Sequence, residues 1–250
     1  VTPPLVAVAH GSRDPRSAAM VSRLLDVVRA LRPGLDVRAA FLDLSAPRLA
    51  DVLTAVHGDG HREAVVVPLL LGNAFHARVD VPGAVAEVRT RCPRLEVRVA
   101  DVLGPDPRLE SAALRRLVEA GVDLRDRDLG VVLAGAGSSH APANAAVAAV
   151  GRRWAAGAGW AGVRAAFAAA ADPDVPTAIA GLRAAGARRI AVASWFLAPG
   201  LLPDRIAAQA LAAAPGAVLA APLGDDPEVA ELVLHRHAET LVSCPQPQYA

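Results

Sequence analysis

The chain has 250 residues, 53% of them apolar and 20% charged, enough for one large domain or two small ones with real cores. Lys and Arg total 26 against 25 Asp and Glu, a net charge of +1, and neither sign forms a run, which argues against a nucleic-acid tract or a charged disordered tail. Every basic residue is arginine, so Schiff-base lysine chemistry is excluded, and an anionic ligand must be held by arginine, backbone N–H groups or helix N-termini.

Leu5–Ala9 reads as a buried strand, and the spacing of Met20, Leu24, Val27, Val28 and Leu31 predicts a helix over Ala18–Leu31. Strand Val37–Leu42, helix Pro47–Val56 and strand Ala64–Leu71 follow, the last an uncharged run suited to a strand covered on both faces. Pro82 sits where a helix through Arg91 can begin, Glu96–Ala100 is a fourth strand, and Asp106-Pro107 has the form of a cap and first turn. This alternation predicts an α/β fold: a four-stranded parallel sheet flanked by helices, with right-handed crossovers.

The pattern then begins again. Val37–Phe41 recurs unchanged as Val163–Phe167, 126 positions on, and the same offset places Gly11 and Ser12 on Gly137 and Ser138, Pro47 on Pro173, Gly60 on Gly186 and Arg62 on Arg188. Leu103-Gly104 is echoed by Leu223-Gly224, now 120 positions on. Two lobes of this α/β form, related by duplication, are therefore expected, over residues 1–122 and 129–242, joined by the charged stretch Asp123–Asp128 and followed by a tail at 243–250.

The chemistry falls at strand ends. His10 closes the first strand and His76 follows the third; in a parallel sheet the carboxyl ends of the strands open onto the ligand crevice, where two imidazoles could hold one divalent metal. Imidazole suits Fe, Co, Ni and Zn alike, so the ligand type names no single metal. Asp43 after the second strand could complete the site or take protons, with a place near a helix start as the plain alternative. Ser12 lies in a turn whose N–H groups can face an anion, and Arg13, Arg16 and Arg78 beside the histidines could meet substrate carboxylates or simply be solvated. Asp80 is read as a helix cap. In the second copy His10 falls on Ala136, His76 on Leu202 and Asp43 on Ala169, which favours a single site built by the first copy. Trp154, Trp160 and Trp195 are read as packing residues, and His235 and His237, two apart on a helix, as no metal pair.

An AHGS ending the first strand, Phe41-Leu-Asp43 after the second, PLLLG followed by His76, Arg78-Val-Asp80-Val-Pro82 and a Gly-Pro-Asp-Pro helix start together resemble the sirohydrochlorin chelatase (CbiX/SirB) family of class II chelatases, in its long two-domain form. The resemblance implies a pair of Rossmann-like lobes with a cleft between them, and insertion of Fe²⁺ or Co²⁺ into sirohydrochlorin, towards sirohaem or cobalamin. It also implies that His10 and His76 bind the metal and help to remove the pyrrole protons. Asp43 stands where the family commonly carries the longer glutamate.

No ATP or redox cofactor is called for, nucleic acid is not expected as a partner, and fusion of the lobes predicts a monomer. No stretch reaches the roughly 18 apolar residues that a membrane span requires. With a short, uncharged entry at Val1-Thr-Pro-Pro and two cysteines, Cys92 and Cys244, outside any CxxC pair, the expectation is a cytoplasmic protein. A metallochaperone on the same fold, or a chelatase for another tetrapyrrole, are the alternatives.

Overall fold

A computed structural model describes residues 2–72 and 80–242. The first half runs β1 (Leu5–Ala9), α1 (Pro15–Leu31), β2 (Val37–Phe41), α2 (Leu49–Gly58), β3 (Glu63–Pro68), α3 (Val81–Arg91), β4 (Glu96–Val99) and α4 (Pro107–Glu119). The second runs β5 (Leu129–Gly135), α5 (Ala141–Ala158), β6 (Gly162–Phe167), α6 (Val175–Ala184), β7 (Arg189–Ser194), α7 (Leu201–Ala213), β8 (Val218–Leu219) and α8 (Pro227–Val242). Two parallel four-stranded sheets result, ordered β2-β1-β3-β4 and β6-β5-β7-β8, so β1 and β5 are each flanked on both sides.

Local chemistry sets the boundaries. Helix α1 begins three residues before its apolar spacing predicts, because Asp14 accepts the backbone N–H of Arg16 and Pro15 fills the first turn. Asp106 caps α4 in the same way, accepting from Arg108 N. Asp80 departs from its expected role: it has helical backbone angles and its carboxylate caps no N–H of α3.

Alternate residues along each strand divide between two cores. From β1, Val6 and Val8 face α2 and α3, together with Val66 from β3. Leu5, Ala7 and Ala9, with Val65 and Val67, face the middle of the molecule. That middle core is continuous from one sheet to the other, because the last helix of each half crosses over. Helix α8 packs beneath β3 and beside α1, while α4 packs on β7 of the second sheet. Leu109, Ala112 and Leu117 of α4 and Val229, Leu232 and Val233 of α8 are all buried in this shared core.

The crossing is tied at matching points. Arg116 on α4 donates to the carbonyl of Leu223, and Arg236 on α8, 120 positions later, donates to the carbonyls of Leu103 and Val102. Trp154 is buried and donates its indole N–H to Glu110 of α4 at 3.1 Å, Trp195 is buried in the same core, and Trp160 donates to the Leu124 carbonyl. All three tryptophans thus serve packing, as the sequence suggests. Among the described residues no helix is long and apolar enough to cross a membrane.

Candidate metal site

His10 follows β1 directly and is partly buried at the carboxyl end of the first sheet. The strands stay paired past their formal ends: Leu42 N donates to the Ala9 carbonyl at 3.0 Å and Asp43 N to the His10 carbonyl at 2.9 Å. This fixes His10 and Asp43 on adjacent segments at one edge of the crevice. Gly11 then turns the chain with φ +97°, packed so tightly that a Cβ there would overlap the carbonyl oxygen of Asp43. Only glycine meets both demands.

The turn is locked from the other side by Ser45. Its Oγ accepts from Ser12 N at 3.1 Å and donates to the Ser12 carbonyl at 2.9 Å, while Ser12 Oγ accepts from Asp14 N. The Ser12 hydroxyl therefore shapes the turn. Asp43 lies at the surface in an ion pair with Arg48 at 3.0 Å. A hydrogen bond from the Leu44 backbone, then Arg48 and the nearby His10, hold the Asp43 carboxyl below its ordinary range despite some desolvation. Asp43 is thus an anion within electrostatic reach of the imidazole.

The expected arginines separate. Arg16 is engaged twice, by Asp14 at 2.5 Å and, across the lobes, by Asp204 on α7 at 2.5 Å. Arg13 is exposed and forms no ion pair with any described residue. His76 and Arg78 lie outside the described residues. Among the described residues no group of three His, Cys, Asp or Glu side chains could hold a metal. His237 is buried, with Nε2 3.0 Å from the Pro3 carbonyl, and His235 pairs with Glu239 at the surface, so the two do not converge.

The second sheet repeats the scaffold without the candidate ligands. Gly137 has φ +82°, and a Cβ on it would overlap the carbonyl of Ala169, as at Gly11 and Asp43. Ala136 and Ala169 occupy the places of His10 and Asp43, while Asn144 takes over the turn by accepting from Ser138 N. Ser45, Arg48 and Asp204 are the contributors that sequence reasoning misses. Ser45 and Arg48 stand close to Asp43 in the chain, whereas nothing in the sequence ties Asp204 to Arg16.

The family profile for CbiX matches residues 4–120 and again 130–240, so each copy satisfies it separately. The chain belongs to the CbiX family. A sirohydrochlorin ferrochelatase of Priestia megaterium is 33% identical over 135 residues, 53% of this chain; the match spans about half, 49%, of that relative's length. A sirohydrochlorin cobaltochelatase of Methanosarcina acetivorans is 28% identical over 123 residues, which is 46% of this chain but 95% of the relative. Half of this CbiX chain therefore equals nearly the whole of a shorter relative. Among solved structures, SirB from Bacillus subtilis with Fe³⁺ superposes with a TM-score of 0.80 at 24% identity, covering 97% of this chain and 96% of its own. That likeness carries the two-sheet fold over the full length.

Proposed function

We propose that this CbiX protein inserts a divalent metal, Fe²⁺ or Co²⁺, into sirohydrochlorin. The observation that carries the reading is the one-sided site: His10 and ionised Asp43 are held together at the end of a central strand, while the same turn in the second copy presents Ala136 and Ala169. The fold keeps both turns, whereas the histidine and the carboxylate stand at only one, as a ligand function would require.

The metal is a substrate and must be released into the macrocycle. A few N and O ligands with open positions suit that better than a closed thiolate cage, and the described cysteine, Cys92, is buried in the outer core. His10 is assigned as a metal ligand, and His76 as the second on sequence grounds. Insertion displaces two pyrrole protons; neutral imidazole, with a reference pKa of about 6.5, is a suitable base near neutrality. Asp43 is assigned the role of a fixed negative charge that favours approach of the cation and the imidazolium formed on proton uptake. Ser12, Arg13, Arg16 and Arg78 are assigned to the substrate carboxylates, Arg13 having its guanidinium exposed and Arg16 being shared with Asp204. Neither electron transfer nor group transfer is involved, so no organic cofactor is required. Because α4 and α8 already cover the sheets within one chain, we assign the working unit as a monomer.

An anaerobic absorbance assay with sirohydrochlorin and either metal tests the reading. Wild type is expected to speed the spectral change well above the spontaneous rate, and His10→Ala and His76→Ala to lose that acceleration while remaining folded. A wild type that binds metal yet matches the protein-free rate would point instead to a metallochaperone.

A further inference from the structure

Helix N-termini that follow parallel strands lie at the carboxyl ends of their sheets. The ion pair between Arg16, in the first turn of α1, and Asp204, in the first turn of α7, therefore shows that the crevices of the two sheets face one another. Leu201 lies three residues before Asp204 and so on the same side of α7. It is 76% exposed, unusual for a leucine beside a crevice. At the end of β7, under the same helix, is a cavity of about 160 Å³ lined mainly by apolar residues, Phe196, Pro199, Pro203 and Ala207 among them, with Ser194 and Asp204 in its wall. Ser194 is 9% exposed and its hydroxyl has no hydrogen-bond partner among the described residues, although a buried hydroxyl ordinarily finds one.

We propose that Leu201 and the cavity of Ser194, Phe196, Pro199 and Pro203 form the apolar wall of the tetrapyrrole site, supplied by the copy that has lost the metal ligands. The assignment rests on the chelatase reading above. The cavity is comparable to one that accepts benzene, so it takes a single ring edge with its substituents, not the whole macrocycle. Ser194 supplies one hydrogen bond to the polar end of a substituent, and Leu201 lies against the ring. The division of labour is chemical: the first copy supplies cation ligands and arginines, the second a mainly apolar surface that a flat conjugated ring prefers to water, with the Asp204 carboxylate turned to Arg16. Arg16 stands at the junction, and its pair with Asp204 is exposed at both ends, so exchanging that carboxylate for one of the substrate's costs little.

The test is titration of metal-free full-length protein with sirohydrochlorin, followed by macrocycle fluorescence, with Co²⁺ binding measured in parallel. Leu201→Ser is expected to weaken macrocycle binding about tenfold, as loss of a leucine contact does, and Leu201→Met to restore it to within threefold. Leu211→Ser, at a half-exposed position farther along the same helix, serves as the control and is expected to bind as wild type does. Cobalt affinity should be equal in all four proteins. Leu201→Ser binding within twofold of wild type overturns the assignment while leaving the chelatase reading intact. So does a change in sedimentation without a change in macrocycle affinity, which would make Leu201 a contact between copies of the chain. A wild type that binds no macrocycle overturns both.

Discussion

Arg115 on α4 grips Asp226 at the start of α8, Nε to Oδ2 at 2.8 Å, and the Asp226 side chain is only 1% exposed. The same carboxylate caps α8 by accepting from Glu228 N at 2.9 Å. The pair fastens together the two helices that exchange sheets. Removing the arginine leaves a buried anion with only its cap bond, so Arg115→Ala is expected to cost about 3 kcal/mol in urea denaturation. Arg23→Ala, which breaks an exposed pair with Asp225, should cost less than about 1 kcal/mol.

The two strand-end glycines give a matched pair of probes. Alanine at Gly11 or Gly137 meets a positive φ and a carbonyl oxygen in its path, so each substitution should lower stability by about 2 kcal/mol or more. Only Gly11→Ala is expected to weaken cobalt binding, since Gly137 turns beside Ala136 and Ala169. Isothermal titration at a temperature where both variants are folded checks this, and equal losses of affinity would contradict a one-sided site.

Asp43 should contribute charge without a titration of its own near neutrality. Its carboxyl is held below the ordinary carboxylate range, so it is ionised throughout pH 5 to 8 and gains its proton only in stronger acid. Asp43→Asn is therefore expected to lower kcat/KM by about tenfold and, because the neutral amide no longer favours the His10 imidazolium, to move the imidazole limb of the profile to lower pH without removing it. Profiles of the two proteins, overlaid after scaling, are the measurement.

His237 makes stability pH-dependent. Burial pushes its pKa down, assisted by Arg32 and opposed by the bond to the Pro3 carbonyl, so between the lowered value and about 6.5 the unfolded chain binds more protons than the folded one. Stability is then complete above about pH 6.5 and declines as pH falls below it. His237→Gln, which keeps an N–H for Pro3, should flatten the fall in Tm between pH 6.5 and 5.

The alternation of strands and helices, the duplication and the loss of His10 and Asp43 from the second copy are all legible in the chain, because apolar period and strand-end position are local properties. The exchange of α4 and α8 is not. Both helices have the amphipathic form that would suit their own sheet, and nothing in Leu109, Ala112 or Leu232 says which strand each will meet. Within the site, the Gly11 turn and the anion at Asp43 follow from sequence neighbours, whereas the partner of Arg16 depends on how two distant halves face each other.

The crossed helices also separate influence from distance along the chain. Leu232 and Val233, near the carboxyl terminus, lie in the core beneath β3, the strand that leads towards His76. A cavity opened there would loosen the floor under the half that carries His10 without touching His10 or Asp43. A cut through the connector at residues 123–128 would leave the halves clasped, since each still seats a helix on the other's sheet. The two copies consequently behave as one unit for selection, although only one of them carries His10 and Asp43.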